Sequence, residues 1–543
     1  MNKPKTQVNI DTATRTRIAI AVGALVVAGG LAFAALPATQ FTTKIEKSCT
    51  VTHVDFKKAC KKKGYYSEAK ISCGDSAPKN HTEECLSAKE WETRAEKICL
   101  NQCSSSEKTT QATNQPTPSK NQPIVEDSNI VSLESCPKVQ LEEGMIYQLS
   151  KNIENKDNCF AFRGNNITLD CKWNTISGDG LAVEIVGDNN TVKNCTLLDG
   201  TNGIVVEGNS NTIENNTLKA NNSRGIEIKN GNNNRIVGNY IERTQNGNAI
   251  QIGATQRQER NGTRGNVIQE NELSFNTGYS VALLEAQETN IESNEFKQNE
   301  DISIYLYDTL PVREGAPRIR HSNSITNNSF SNERKGSIFI DEMNYTVIAH
   351  NTFRGLQFDE NSNVKQNYIL VKKGDYNSIE HNIFSANGEN LTGVDISYAG
   401  VVSTDLLVQN RITDNSFSSL RTAVFVGNSE ETVVQNNVIT NSERGISLGQ
   451  AEFASIIRNE LTGNNTGIIV GQRTNQSSIV NNTAERNSIG LRFEVPRAFE
   501  IFEDELAEDV ENYYPNRTNV SNNRFCSNRN ADISCVAQVN SRG

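Results

Sequence analysis

A short template recurs along most of this chain: an apolar residue, two variable residues, Asn, one variable residue, then a second apolar residue. It starts as Ile213, Asn216, Leu218 and Ile236, Asn239, Ile241, and it ends as Val520, Asn523, Phe525. Between these it returns around Asn271, Asn294, Asn328, Asn351, Asn367, Asn382, Asn415, Asn437, Asn459 and Asn482, thirteen times in all. The Asn residues most often stand 22 or 23 apart, with wider gaps where loops intrude and two short gaps around Asn367. A period of that size marks a solenoid, in which each repeat buries its apolar face only against its neighbours. A second apolar stretch precedes the template, as in Gly203-Ile204-Val205-Val206, Gly225-Ile226-Glu227-Ile228 and Gly445-Ile446-Ser447-Leu448. Each reads as a short strand with alternate residues inward. The expected architecture is an all-β parallel β-helix over residues 136–543, of about 15 rungs. Composition agrees: 36% hydrophobic and 6% aromatic residues suit a core one rung wide.

A buried Asn needs hydrogen-bond partners. Identical Asn side chains stacked about 4.8 Å apart can bond to the rungs above and below. The Asn ladder is therefore read as structural. The same template places Cys171 and Cys195 in the Asn column of the first two rungs, with Cα atoms roughly 5 Å apart, so a Cys171–Cys195 disulfide is expected. Cys136 with Cys159 and Cys526 with Cys535 are expected to close the first and last rungs, because open ends expose unpaired strand edges.

Ahead of the solenoid the composition changes three times. Residues 1–17 carry Lys3, Lys5, Arg15 and Arg17, and residues 18–37 are apolar and uncharged. Ile18 to Leu36 would span about 28 Å as a helix, enough to cross a membrane with residues 1–17 cytoplasmic. A cleaved signal peptide is the competing reading, with Ala32, Ala34, Ala35 and Ala38 offering small residues for cleavage. In both cases the body is extracytoplasmic. Residues 44–103 hold six of the 12 cysteines, and the spacing of Cys49, Cys60, Cys85, Cys99 and Cys103 predicts two disulfide-stapled helices. Residues 104–135, rich in Ser, Thr, Gln and Pro, predict a linker. Near the C-terminus, Phe499, Phe502, Leu506 and Val510 predict an amphipathic helix over 497–514. Its acidic face offers carboxylates for calcium, and a solvated acidic face is the plainer reading. The net charge of −10 argues against a nucleic-acid partner.

The segment Asn166-Ile167-Thr168-Leu169-Asp170-Cys171-Lys172-Trp173-Asn174-Thr175-Ile176-Ser177-Gly178 resembles the opening rung of right-handed β-helix proteins of the NosD-like group, which carry the parallel β-helix repeat of carbohydrate-binding and sugar-hydrolysing proteins. The resemblance implies a right-handed fold and extracytoplasmic work on polysaccharide. It does not choose among lyases, hydrolases, epimerases, adhesins and binding proteins.

Chemistry on such a fold would sit on outward residues of one lateral sheet. Reading the first strand of each rung gives Val205, Glu227, Gln251, Ala282, Ser303, Tyr305, Tyr307, Phe339, Asp341, Asp395, Phe425, Ser447, Ile469 and Arg492 as outward. Aromatic and acidic residues cluster only in the middle. The candidate substrate-binding groove is Tyr305, Tyr307, Asp308, Phe339, Asp341, Glu342, Asp395 and Tyr398, walled by loops near 253–265 and 308–321. The competing reading makes these ordinary outward strand residues. No acid–base set of pectic hydrolases or lyases and no Asp-Pro-His-Asp signature is legible, so no catalytic residue is assigned. The expected partner is a cell-envelope or extracellular glycan; the alternatives are a non-catalytic rod or adhesin, and a periplasmic metal-maturation factor like the group's namesake. Copper is disfavoured here because His350 and His381, though in one template slot, are read as separated by the Asn367 rung, about 10 Å apart. No cofactor is expected.

Overall fold

The computed structural model describes residues 129–529 except 138–139, 155, 254–262, 309–320, 356–365, 387–390, 398–406 and 495–516, together with four strands between residues 41 and 87. The chain divides into two compact units, residues 1–124 and 125–543.

In the larger unit three parallel sheets wind into a β-helix. The first sheet has 16 strands, from Ile130–Leu133 to Asn519–Ser521; the second has 15, from Ile153–Glu154 to Arg524–Cys526. The third runs through 14 strands from Phe160–Phe162 to Ile489–Phe493, with a fifteenth, Leu407–Val408, pairing beside Thr422–Glu430. A representative rung takes Thr212–Glu214, Thr217–Lys219 and Arg224–Asn230, one strand per sheet. Ile213, Leu218, Ile226 and Ile228 point inward and are fully buried. The corner between the first two strands is made by Asn215 at φ 54°, a left-handed value that Asn tolerates, followed by the buried Asn216. Strand Ile130–Leu133 already pairs with Ile146–Leu149, so the solenoid begins inside the segment read as linker.

The Asn ladder is satisfied on both sides. Asn216 Nδ2 donates to the carbonyl of Val192 one rung below (3.0 Å), and its backbone N–H and Nδ2 both donate to Asn239 Oδ1 above (2.9 and 3.0 Å). The pattern repeats to Asn482 and Asn523. Cys195 lies in the same column, its N–H donating to Asn216 Oδ1, and it is bonded to Cys171 with Cα atoms 4.8 Å apart. Cys136 is bonded to Cys159. Cys526 is disulfide-bonded, and Cys535 lies outside the described residues. Two further amide columns flank the first. One, with Asn190, Asn211, Asn234 and Asn266, closes the third-to-first corner. The other includes Asn276, Asn299, Asn464 and Asn487 at the second-to-third corner. Inside the second sheet, Phe296, Phe330, Phe353, Phe384 and Phe417 stack face to face at 4.6–4.7 Å.

Three expectations are corrected. Asn367 is not in the ladder. Its apolar neighbours imitate the template, but strand Gln366–Lys373 belongs to the third sheet, pairing Ile369 with Ile338 and Val394. Asn351 therefore bonds directly to Asn382 (2.9 Å), and His350 and His381 sit on adjacent rungs with ring centroids 5.1 Å apart rather than about 10 Å. Ser303 points inward and is fully buried, because the third-sheet chain bends just before Ile304.

The third correction concerns the small unit. Its described parts are strands β1 (Phe41–Ile45), β2 (Cys49–Val54), β3 (Tyr65–Cys73) and β4 (Lys79–Ser87), an antiparallel sheet in the order β1-β2-β3-β4 rather than two helices. The β-branched alternation of Thr50-Val51-Thr52-His53-Val54 outweighs a cysteine spacing that fits a helix only by arithmetic. Cys49 lies opposite Cys73 in the register. Residues 18–37 and the 497–514 segment lie outside the described residues, among which no helix is long and apolar enough to cross a membrane.

Candidate functional site

The third sheet places outward residues in columns, since side chains alternate along a strand and parallel register aligns them across rungs. One column runs Glu227, Gln251, Ala282, Tyr305, Phe339, Leu370, Asp395. The next carries Tyr307 beside Asp341. Tyr305 is thus the centre of an aromatic cluster: its ring lies 5.7 Å from Tyr307, 5.4 Å from Phe339 and 4.5 Å from Tyr279. Tyr279 was not anticipated. It precedes its strand by two residues, where the alternation that exposes the other rings no longer holds.

Asp341 stands against this cluster. It is 8% exposed; its Oδ2 lies 3.6 Å from Lys372 Nζ, and its Oδ1 is buried with no hydrogen-bond partner among the described residues. Burial, and after it the Asp341 carboxylate, pushes the Tyr305 hydroxyl well above the usual phenol range. Burial also raises Tyr279, helped by Asp301 and Asp341. Both phenols therefore stay protonated and serve as hydrogen-bond donors, not bases.

The other predicted residues divide. Glu342 pairs with Lys373. Asp308 Oδ2 accepts from His321 Nε2 at 3.0 Å, while His321 Nδ1 accepts the N–H of Asn344 at 3.2 Å. With both nitrogens engaged, His321 is a buried positioning group and not a free base. Asp395 is two rungs away from Phe339, beyond Leu370, and accepts from Ser397 Oγ at 2.6 Å. Tyr398 and the two walling loops lie outside the described residues. Upstream on the same face a polar network continues the surface: Arg224 Nε and Asn248 Nδ2 donate to Gln251 Oε1 (3.0 and 2.9 Å), and Arg224 pairs with Glu227 at 3.4 Å. The arrangement offers rings, hydroxyls, amides and one unpartnered carboxylate oxygen on a flat face, which is equipment for holding a polyhydroxylated chain.

The three parallel sheets and their repeat define a right-handed parallel β-helix. A general right-handed β-helix profile matches residues 128–261 and 179–310. The profile described as periplasmic copper-binding protein (NosD) matches residues 258–368 and 361–540, over half of the sequence, and the chain belongs to that family. No curated protein matches the chain in sequence. Among solved structures it is similar to a polysaccharide lyase of the PL6 family from Pseudopedobacter saltans, at 12% identity and a TM-score of 0.39, covering 75% of this chain and 97% of the other. It is also similar to a periplasmic alginate epimerase (11%, TM-score 0.37, covering 67% and 78%) and to tailspike protein 3 of bacteriophage CBA120 (11%, TM-score 0.37, covering 93% and 79%).

The family description raises copper. Soft donors are few: of three methionines in the chain, Met343 is fully buried, and Cys136, Cys159, Cys171, Cys195 and Cys526 are in disulfides. Among the described residues no three of His, Cys, Asp and Glu converge on one point. The donors that fit copper are imidazoles, and among the described residues His350 and His381 come together.

Proposed function

We propose that this is an envelope-anchored, extracytoplasmic glycan-binding β-helix whose binding face is the outer third sheet around Tyr305, Tyr307, Phe339 and Asp341. The observation that carries this reading is the buried Oδ1 of Asp341, which no described residue bonds, beside a four-ring cluster. A buried acceptor left unsatisfied is costly, and a sugar hydroxyl donates to it while an apolar sugar face packs on the rings. Anchoring rests on the apolar run from Ile18 to Leu36 and the cations before it.

The test is a binding screen of the full chain against neutral and acidic polysaccharides, with and without calcium. Tyr305→Ala and Asp341→Asn are each expected to weaken binding about tenfold or more, as for loss of a hydrogen bond to a charged group. Ser447→Ala, farther along the same sheet, should leave binding unchanged. No binding across the panel would favour a rod or adhesin. N-terminal sequencing of membrane-associated protein tests the anchor; a mature chain starting after Ala38 would replace it with a cleaved signal peptide.

A further inference from the structure

On the third sheet the register column Leu284, Tyr307, Asp341 is followed, one residue on, by Glu285, Asp308 and Glu342. Three successive rungs, about 4.8 Å apart, therefore each carry an acid at the end of the strand beside the aromatic cluster. Asp341 adds a fourth, and Asp301, four residues ahead of Tyr305, a fifth. After burial, the charges that keep Tyr305 and Tyr279 protonated are those of Asp341, Glu342 and Asp301, so the acids surround the rings on both sides. Among the described residues the lysines that answer them are Lys335 on Asp301 (2.8 Å), Lys372 on Asp341 (3.6 Å) and Lys373 on Glu342. His321 adds no charge: its Nδ1 accepts a backbone N–H, so its one proton sits on Nε2, toward Asp308. Five carboxylates thus face three ammonium groups, and each of those lysines is already held by an acid.

We infer that the glycan taken by this face is an amino-sugar polymer with free, protonated amines, and that the face selects against uronic-acid polymers. The inference rests on the glycan-binding reading above and narrows it. A sugar ammonium donates to Asp341 Oδ1, the buried acceptor that no described residue bonds, through a charge-assisted hydrogen bond. It also supplies positive charge where acids outnumber lysines. The faces of neutral Tyr and Phe rings attract the same cation, and Tyr305, Tyr307 and Phe339 lie together beside that oxygen. An N-acetylated sugar keeps one N–H donor and loses the charge. A uronate carries a like charge toward the carboxylates and meets no unpaired lysine in this patch among the described residues.

The test is calorimetric titration of the purified full chain, at about pH 6, with three oligosaccharides of equal length: a glucosamine hexamer, its fully N-acetylated counterpart and a galacturonic acid hexamer. The glucosamine oligomer should bind at least about tenfold more tightly than the N-acetylated one, the step expected when a hydrogen bond gains charge on both sides. The galacturonate should bind more weakly than either. Raising sodium chloride from about 0.05 to about 0.5 M should erode the preference for the amine, because salt screens charge and leaves ring packing intact. Asp341→Asn should bring glucosamine binding down to the N-acetylated level, and Glu342→Gln should shrink the preference by a smaller factor. Thermal melting of both variants should match the parent, and the salt series on the parent needs no variant. Equal affinity for the glucosamine and N-acetylated oligomers, or galacturonate binding as tight as glucosamine, overturns this inference and leaves glycan binding in place. If none of the three binds, this inference falls, and the glycan-binding reading falls with it when the wider polysaccharide panel is also silent.

Discussion

Replacing Glu333 with Gln should change how the stability of the β-helix depends on pH. Glu333 is 1% exposed and takes the place in its corner column that Asn276 and Asn299 hold on the two preceding rungs. Its Oε2 accepts from Ser303 Oγ at 2.5 Å, and its Oε1 lies 3.5 Å from Asn299 Nδ2. Burial pushes its pKa up to about 8 from an ordinary 4.5, against the hydrogen bonds from Ser303 and Asn299, which act the other way. At neutral pH the group is a neutral acid and imitates the amide it replaces.

The sign follows from proton linkage. Below pH 4.5 Glu333 is protonated in both the folded and unfolded chain. Between there and pH 8 the unfolded chain has released its proton and the folded chain has not, so stability falls as pH rises, by about 1.4 kcal/mol per unit. Over the full window the loss is about 5 kcal/mol. Gln keeps the ladder amide and has no proton to release. Guanidinium unfolding followed by circular dichroism, at intervals from pH 5 to 9, should show parent and variant close together at the acid end. The variant should be more stable by several kcal/mol at the alkaline end. Parallel pH profiles for the two proteins would refute the reasoning, since the difference between them isolates this one group.

Phe353→Ala should cost roughly 3–5 kcal/mol, because the ring is fully buried and stacked at 4.7 Å on both Phe330 and Phe384; an unfolding midpoint within error of the parent would contradict the tight ladder. At low pH, Asp170 should matter in the opposite sense to Glu333. Burial would raise its pKa, but bonds from Asn194 and Lys172 outweigh burial and hold it below the usual carboxylate value, so its stabilisation is present above pH 3.8 and lost as pH falls through its lowered folded value. Asp170→Asn should therefore flatten the acid limb of the stability profile, measured as the unfolding midpoint from pH 5 down to pH 2.

Much of the fold could be read because a solenoid repeats its physics every rung. The Asn column, its Cys171–Cys195 opening and the inward Phe residues follow from one spacing seen many times. Where the repeat breaks, the reading failed. Asn367 mimicked the template because an insertion at 356–365 brings a third-sheet strand into the same apolar pattern, and that single misplacement separated His350 from His381. The small unit has no repeat, so the helical spacing of its cysteines went unchecked by pattern and β-propensity decided instead. At the candidate face, strand alternation found Tyr305, Tyr307, Phe339 and Asp341. It missed Tyr279 and the Arg224 network, which sit at strand starts, where direction is set by the bend and not by period two.

Column position is also what separates structural polar residues from available ones. His321 lies where Asn209 and Asn232 lie on other rungs, and its Nδ1 accepts a backbone N–H as their side-chain oxygens do. Its chemistry is consumed by the fold. His350 and His381 stand one residue outside the ladder, and no described residue bonds their nitrogens. Asp341 follows the same logic on the third sheet: it faces outward, holds one oxygen at 3.6 Å from Lys372, and leaves the other without a donor among the described residues. A buried acceptor left open in this way on an outer face is a place where an external donor gains by binding.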